Sequence, residues 1–461
     1  MRQRSAPMFF HWIHRLNLHV YDGLATIRAM SHGIIPITLF AALLFTPTNA
    51  LGTEPAPVAD AQLMCDLPAI NDLPVRAALQ DALTMLDGSP IRTRDDWEQK
   101  RRPQLKSLFE NYVYGQAPPP PGITARITKE AVVLDGKAKL KEIEIKLNGL
   151  LDDAPRIRLA LFVPANAKGK VPVFLTVNGG GNQAVVPDEA VTHNVKAWSD
   201  QPHARGSESD FWCVSDVIKR GYAFATFHQS DMAPDTPDAG RQSIIAWYPN
   251  LATPQTRWGT LAAWAWGLSR AVDYLETDGD IDAKQMAVLG HSRRGKAALL
   301  AGAFDERIWL TVPHQSGTGG CALSRNNDQE TVEKINRSFP HWFNDVFPRF
   351  AGREDRLPVD QHLLVAMIAP RLLLDTEGTQ DKWANFESAL TALREADKVY
   401  KFHDAKGMIG NGVISGDTTF TPENCGDLVQ YRLDETHTLN ARYWKAILDF
   451  ADVQQQREVR K

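Results

Sequence analysis

Cysteine is scarce in this sequence, with four in 461 residues. They are Cys65, Cys213, Cys321 and Cys425, and none has Cys-x-x-Cys or Cys-x-x-His spacing, so we expect no metal site. An even number of cysteines in an exported chain permits two disulfides, with three possible pairings. Buried free thiols are the alternative.

Positive charge is not in excess either. The chain has 51 Lys and Arg against 55 Asp and Glu, a net charge of −4, and no basic stripe. Because nucleic-acid binding depends on clustered positive charge, we expect no nucleic-acid partner. Long apolar runs are also missing. After the N-terminal region, no apolar stretch reaches the roughly 18 residues of a membrane-spanning helix.

The N-terminal region carries the one informative apolar run. Residues 34–45 are apolar and are followed by Thr48-Asn49-Ala50, which is the pattern of a signal-peptide core and its cleavage site. Translation could start at Met30, and an uncleaved anchor is the alternative. We interpret 1–50 as a signal peptide, 51–118 as a linker and helical segment that packs on the core, and 119–461 as the main domain. The expected location is secreted or periplasmic.

Hydrophobic patterning along the main domain predicts its fold class. Residues 130–163 alternate apolar and polar side chains, as half-buried antiparallel strands do. A helical pattern covers 256–276, and continuous apolar runs typical of doubly covered strands lie at 171–177, 222–227, 286–289, 308–312 and 372–374. This order predicts an α/β-hydrolase fold, a three-layer sandwich with a mostly parallel central sheet and antiparallel N-terminal strands.

The segment around Ser292 predicts a catalytic serine. A strand ending at Leu289 is followed by Gly290-His291-Ser292-Arg293-Arg294-Gly295 and then by an Ala/Leu-rich helix. Strand, tight turn and helix are the context of a nucleophile elbow, in which the helix N-terminus favours developing negative charge. The second glycine comes one residue later than in Gly-x-Ser-x-Gly. A plain strand-to-helix turn with serine as the cap is the alternative.

Hydrolases of this class carry an acid and then a histidine after the serine. Asp381 follows the predicted strand at 372–374, and His437 precedes a helical stretch at 441–450. His403 is the competing histidine, which we place at a strand end. Residues 178–182 contain three glycines after the strand 171–177 and form a candidate oxyanion loop. A plain flexible loop is the alternative there.

These motifs resemble those of the glucuronoyl esterases, carbohydrate esterase family 15, in their bacterial form. The resemblance extends from about Pro68 to Asp452. The family pattern Gly-Cys/His-Ser-Arg-x-Gly-Lys matches Gly290 to Lys296, and further similarity covers 301–307, 316–320 and 339–343. The late glycine and the arginine after the serine are features of this pattern.

The resemblance implies a role for each matching residue. Ser292 is the implied nucleophile, His437 the catalytic histidine, and Arg293 a residue that stabilises the oxyanion. Many members carry the acid as Glu in a Glu-Ser-Gly motif, where this chain has Gln315, which lacks the charge but could orient the histidine through a hydrogen bond. We therefore predict Asp381 as the acid. The implied substrate-binding residues are Lys296, Glu330, Trp383, Gln315 and Trp342.

The implied reaction is cleavage of an ester of (4-O-methyl)glucuronate, as in the linkages between glucuronoxylan and lignin. We expect a monomer that needs no metal or organic cofactor and makes no membrane contact after signal removal. One alternative is an acetyl-xylan or other carbohydrate esterase on the same fold. Another, suggested by Gln315, is a non-catalytic carbohydrate-binding protein.

Overall fold

The strands in the described part of the chain form one mixed sheet. The computed structural model describes residues 67–193, 203–238 and 243–459, so the predicted signal peptide and Cys65 lie outside the described residues. The strands are β1 (Ile123–Val133), β2 (Ala138–Leu147), β3 (Ile157–Pro164), β4 (Val171–Asn178), β5 (Ala223–His228), β6 (Ile281–His291), β7 (Ile308–His314), β8 (Leu372–Gly378), β9 (Val413–Ser415) and β10 (Leu428–Leu433).

The sheet order is β1-β2-β3-β5-β4-β6-β7-β8-β10-β9. The pairs β1–β2, β2–β3 and β3–β5 are antiparallel, and the pairs from β5–β4 to β10–β9 are parallel. The antiparallel strands are therefore the N-terminal ones, as the alternating pattern predicted.

Helices follow most of the parallel strands. The α-helices are α1 (Arg94–Asp96), α2 (Arg102–Phe109), α3 (Ser209–Trp212), α4 (Val214–Lys219), α5 (Thr260–Leu275), α6 (Arg293–Phe304), α7 (Val332–Ser338), α8 (Gln361–Ala366), α9 (Phe386–Phe402) and α10 (Ala441–Val459). Two π-helical turns, Trp97–Arg101 and Glu110–Tyr114, join α1 to α2 and extend α2.

Alternate residues of the parallel strands enter two separate hydrophobic cores. In β4, Val173 and Leu175 belong to the core covered by α5 and α6, whereas Phe174 belongs to the core covered by α4 and α10. A strand places successive side chains on opposite faces, so the sheet is covered on both sides. The predicted three-layer architecture with a mostly parallel sheet is confirmed.

The segment before β1 shares the first of these cores. Trp97, Phe109 and Tyr114 are completely buried among residues of α5, α6 and α8. The Tyr114 hydroxyl donates to the Gly319 carbonyl oxygen at 2.9 Å. The helical stretch ends at Tyr114, a few residues before the proline run in which we placed the domain boundary.

Two features near the C-terminus differ from the sequence-based expectations. The strands β9 and β10 were not predicted, because β9 is only three residues long and β10 carries the polar Gln430 and Arg432. His403 does not lie at a strand end, as we expected, but follows the last residue of α9, so that prediction was wrong.

Candidate active site

Ser292 lies in a strained turn between β6 and α6. Its φ of 58° and ψ of −125° are values that non-glycine residues rarely adopt. Its backbone N–H donates to the His314 carbonyl oxygen of the neighbouring β7 at 2.9 Å, and α6 begins at the next residue. The turn therefore holds this serine at the N-terminus of a helix, where backbone N–H groups lack intrahelical acceptors.

Two glycines allow the chain to cross itself closely in this turn. A Cβ added to Gly290 would lie 2.0 Å from the Arg294 carbonyl oxygen, and one added to Gly295 would lie 2.9 Å from the Gly290 carbonyl oxygen. Both distances are too short for a side chain. The glycine requirement thus falls on position 295, while position 294 accommodates an arginine whose Nε donates to Gln229 Oε1 at 3.1 Å.

The predicted oxyanion loop borders the elbow. The Arg294 guanidinium packs against Gly179, at the end of β4. The Gly181 N–H donates to Asn178 Oδ1 at 2.8 Å, so this group is already used inside the loop. Close packing of Arg294 is thus one physical reason for a glycine in this loop.

His437 and Asp381 form a hydrogen-bonded pair beside the elbow. The distance from His437 Nδ1 to Asp381 Oδ2 is 2.5 Å, and the carboxylate is buried while the imidazole is partly exposed. The ring centroids of His437 and His291, the neighbour of Ser292, are 4.4 Å apart. Burial alone would raise the pKa of Asp381, but the hydrogen bond and charge of His437 lower it below its usual value. The acid predicted from the sequence is therefore the one in contact with the histidine.

Gln315 holds the loop that carries His437, without contacting the imidazole through its amide. Its Nε2 donates to the Thr436 carbonyl oxygen at 2.8 Å, and its Oε1 accepts from the Thr438 N–H at 2.9 Å. Its φ of 44° is an unfavourable value for a glutamine. The side chain is only 1% exposed, so the expectation that Gln315 lines the substrate cleft is corrected: both of its amide atoms are engaged in the protein.

Arg293 and Trp342 meet on one carboxylate. Arg293 Nη1 donates to Asp235 Oδ2 at 2.5 Å, and Trp342 Nε1 donates to Asp235 Oδ1 at 2.8 Å. The guanidinium carbon lies 4.8 Å from the centroid of the Trp342 ring. Because Trp342 is 2% exposed, its expected contact with a substrate is corrected to a contact with Arg293.

The remaining predicted binding residues form a chain of contacts. Lys296 Nζ donates to Glu330 Oε2 at 2.9 Å and to the carbonyl oxygens of Ser316 and Thr318, which engages all three of its N–H groups. Glu330 Oε1 accepts from Trp383 Nε1 at 2.9 Å. Burial lowers the pKa of Lys296, and the Glu330 carboxylate partly offsets this. Trp383 is the exposed member, at 44%. Lys296 and Glu330 are each only 3% exposed, so their expected contact with a substrate is corrected to support of Trp383 through Glu330.

Comparison with known proteins identifies the family. A family model described as "Glucuronyl esterase, fungi" matches residues 206–403. The curated carbohydrate esterase MZ0003, from an unknown prokaryotic organism, is 40% identical over 81% of this chain and 89% of its own length. The chain belongs to carbohydrate esterase family 15. The resemblance stated from the motifs is thereby confirmed, as is the prediction that the protein is an esterase.

Solved structures of the family have the same fold. A promiscuous family 15 esterase from a marine bacterial metagenome is 37% identical, with a TM-score of 0.72, over 83% of this chain and 98% of that one. A glucuronoyl esterase from Solibacter usitatus is 32% identical, with a TM-score of 0.75, over 83% of this chain and 99% of that one. The predicted α/β-hydrolase fold is confirmed.

The role of the Gln315 amide can be tested by introducing the glutamate that many family members carry at this position. In Gln315→Glu, a carboxylate oxygen would face the Thr436 carbonyl oxygen, and the bond from Nε2 would be lost. Leaving such a buried group unsatisfied costs about 1–3 kcal/mol. We expect the free energy of unfolding in urea to fall by about that amount, and kcat to fall by roughly 10-fold because the His437 loop shifts.

Gln104→Glu is the matched control for this variant. Gln104 Oε1 accepts from the Leu86 N–H and from Arg101 Nη1, which a carboxylate can also do. It should keep the stability and kcat of the original protein. Full activity and stability in Gln315→Glu would show that the amide is dispensable.

A buried acid pair lies beneath the site and had no sequence signal. Asp375 and Glu377 are alternate residues of β8 and are completely buried. Asp375 Oδ2 accepts from Gln430 Nε2 at 2.8 Å, whereas no donor among the described residues reaches either Glu377 carboxyl oxygen. Ionising both carboxyl groups would place two negative charges next to each other in a buried site, which is unfavourable. Burial raises the pKa of Asp375 to about 6 and, with the charge of Asp375, raises that of Glu377 well above its usual value.

The buried acid pair makes the stability of the fold depend on pH, and Glu377→Gln should reduce this pH dependence. Raised pKa values mean that the folded state binds more protons than the unfolded chain, so stability is full below about pH 4 and declines as pH rises through about 6. The amide introduced by Glu377→Gln would donate to Asp375 at every pH. The melting temperature of this variant minus that of the original protein should therefore increase by a few degrees from pH 5 to pH 8, measured by calorimetry. A difference independent of pH would contradict the raised pKa values of the two acids.

The described cysteines are not bonded to one another. Cys213, Cys321 and Cys425 are free and buried, so the option of two disulfides was wrong and the alternative of buried thiols holds for these three. Burial raises the pKa of Cys213 to about 11 and that of Cys425 to about 12, which leaves them as unreactive thiols. Over residues 67–193, 203–238 and 243–459, no cluster of three or more His, Cys, Asp or Glu residues could hold a metal ion.

Proposed function

We propose that this protein hydrolyses carboxylic esters of (4-O-methyl)glucuronate, as in the linkages between glucuronoxylan and lignin, with Ser292 as nucleophile. The observation that carries the proposal is the hydrogen bond of 2.5 Å between His437 and Asp381 next to the strained serine turn. Family membership supports it, because a glucuronoyl esterase from Solibacter usitatus is among the relatives and matches 83% of this chain.

In the proposed mechanism, neutral His437 accepts the Ser292 hydroxyl proton as Oγ attacks the ester carbonyl carbon. Asp381 stabilises the imidazolium and keeps its Nδ1 protonated. The oxyanion is stabilised by the backbone N–H of Arg293 and by the Arg293 guanidinium, whose N–H groups form a rigid set of donors. His437 then returns the proton to the departing alcohol, and water hydrolyses the acyl-enzyme by the reverse use of the same groups.

The sugar ring is proposed to bind against Trp383. This is the exposed residue of the contact chain, and an aromatic face with a polar edge suits a sugar. Lys296 and Glu330 support it from below through the bond between Glu330 and the indole N–H. In this proposal they act on the substrate by orienting Trp383.

A broader ester specificity is the second candidate. The marine family 15 esterase that is 37% identical to this chain is described as promiscuous, and that description favours a comparison of several esters. Cleavage of acetyl groups from xylan would be the alternative activity on the same site.

Rates on two substrates distinguish these candidates. We expect alcohol release from a benzyl ester of 4-O-methylglucuronate, and kcat/KM at least 100-fold lower for acetate release from acetylated xylan. Activity confined to acetylated xylan would overturn the substrate assignment. If no ester is hydrolysed and a serine-directed phosphonate fails to label Ser292, the protein is instead a carbohydrate-binding one.

We also propose that the protein is exported. The apolar run 34–45 followed by small residues supports a cleaved signal peptide, and the plant-polymer substrate would lie outside the cell. Among the described residues, no helix has the length and apolarity needed to cross a membrane. The N-terminal sequence of the mature protein, recovered from culture medium or periplasm, tests cleavage near residue 50.

A further inference from the structure

We propose that Asp235 is a positioning residue that holds the Arg293 guanidinium in the orientation needed to stabilise the oxyanion. This inference rests on the oxyanion role proposed above for Arg293. No motif in the sequence points to Asp235, which lies in the loop after β5.

Three donors from two separate parts of the chain converge on the Asp235 carboxylate. Oδ2 accepts from Arg293 Nη1 at 2.5 Å, and Oδ1 accepts from His341 Nε2 and from Trp342 Nε1, each at 2.8 Å. The carboxylate is 7% exposed. Burial would raise the pKa of Asp235, but the bond from His341, the charge of Arg293 and the Trp342 N–H keep it well below its usual value. The group is thus an anion at any working pH.

Aromatic rings fix Arg293 from a second direction. Its guanidinium carbon lies 4.8 Å from the centroids of both the Phe339 and the Trp342 rings. Those two rings stack on each other, with centroids 3.7 Å apart and an angle of 3° between their planes. Trp342 therefore contacts the cation with its ring and the carboxylate with its N–H. The Trp342 indole is thus in contact with both charged groups, Arg293 and Asp235.

This geometry leaves part of the guanidinium for the substrate. Of its five N–H groups, the bond to Asp235 uses Nη1, and the side chain remains about one-third exposed. A long arginine side chain loses considerable rotamer freedom when it is fixed, and a preorganised donor stabilises charge in the transition state without that cost during reaction. Asp235 supplies the preorganisation.

Asp235→Asn separates this role from packing. The Asn oxygen can still accept from His341 and Trp342, but the amide N–H groups would then face Arg293 Nη1, so the arginine is released. Removing one oxyanion donor typically lowers kcat by about 100- to 1,000-fold. We expect kcat on the glucuronate ester to fall by about 10- to 100-fold, because a released arginine acts some of the time, while KM changes by less than about threefold.

The experiment compares Asp235→Asn, Arg293→Ala and the double variant. If Asp235 acts through Arg293, Arg293→Ala lowers kcat at least as much as Asp235→Asn, and the double variant is no worse than Arg293→Ala alone. Asp345→Asn is the matched control, since Asp345 forms an exposed pair with Arg257 at 2.5 Å; it should leave kcat unchanged. Additive losses, or a rise in KM alone, would overturn the inference.

The two proposals fail in different ways. If Arg293→Ala retains full kcat, the oxyanion role of Arg293 is wrong. If Arg293→Ala is impaired but Asp235→Asn is not, only the role of Asp235 is wrong. Should Asp235→Asn fail to fold, Asp235→Glu keeps the charge but moves the carboxylate by one methylene. It should lower kcat without raising KM, and an unchanged kcat would refute the positioning role.

Discussion

Ser292→Ala should lower kcat for glucuronate ester hydrolysis by on the order of 10⁶-fold, as nucleophile removal does in other serine hydrolases. The effect is large because, in the proposed mechanism, Oγ forms the bond to the acyl carbon. The protein should remain folded, since alanine fits a turn whose close approaches involve the backbone at Gly290 and Gly295. Steady-state rates and the mass of a phosphonate adduct measure the effect.

A serine elsewhere in the chain provides the control. The Ser209 hydroxyl donates to the Gly206 carbonyl oxygen at 2.8 Å and lies outside the proposed mechanism. Ser209→Ala should keep kcat within about twofold and still acquire one phosphonate adduct, as surface changes away from a site do. If Ser292→Ala were labelled, or retained more than about one-thousandth of the activity, the nucleophile would be another residue.

Asp381→Asn should lower kcat by about 10⁴-fold, the loss seen when a triad acid is amidated. If the Asn amide donates to Nδ1, the imidazole carries its proton on Nε2 and cannot accept one from Ser292. If its oxygen faces Nδ1 instead, the tautomer survives but the negative charge that stabilises the imidazolium is lost. Both outcomes reduce kcat more than KM.

The pH dependence of stability gives a second test of the interaction between Asp381 and His437. The pKa of Asp381 is lowered in the folded protein, so the carboxylate stabilises the fold above its unfolded pKa of about 3.9, and this contribution is lost as pH falls through the lower folded value. The melting temperatures of Asp381→Asn and the original protein should therefore converge below about pH 4.

Asp434→Asn is the matched control in the same pair of loops. Asp434 accepts from the Thr379 hydroxyl and from Gln380 Nε2 through one oxygen, Oδ1, which an asparagine also provides. Its kcat should stay within about threefold of the original, as expected for a surface change that keeps its hydrogen bonds. A loss of less than about tenfold in Asp381→Asn would mean that another group supports His437.

The parts of the fold that the sequence predicted are those with local signals. β4 and the C-terminal half of β6 contain apolar runs, and the elbow at Ser292 needs only the glycines within a few residues of it. β10 was not predicted because Gln430 interrupts its apolar pattern. This glutamine donates a hydrogen bond to Asp375, which lies 55 positions away in the sequence.

In the candidate site too, the residues with a pattern along the sequence could be predicted, and those that depend on contacts between distant segments could not. Asp381 and His437 could be predicted because the order of acid and histidine along the chain is itself a pattern. The contacts of Gln315 reach residues 121 and 123 positions away, and Asp235 meets Arg293 across 58 positions. Such hydrogen bonds depend on how distant loops meet. Sequence similarity therefore named Gln315 and Trp342 as substrate contacts, whereas Gln315 binds the backbone of the His437 loop and Trp342 contacts Arg293 and Asp235.

The two hydrogen bonds from Gln315 to the loop that carries His437 also restrict how the catalytic acid could move from position 381 to position 315 during evolution. One base substitution converts a glutamine codon into a glutamate codon, so the step towards a carboxylate after β7 is easily sampled. In this protein that step would break the bond to Thr436 while Asp381 still occupies Nδ1 of His437. The loop would have to adapt first. Gln315→Glu alone would therefore not transfer the role of the acid, although the two acid positions follow adjacent strands.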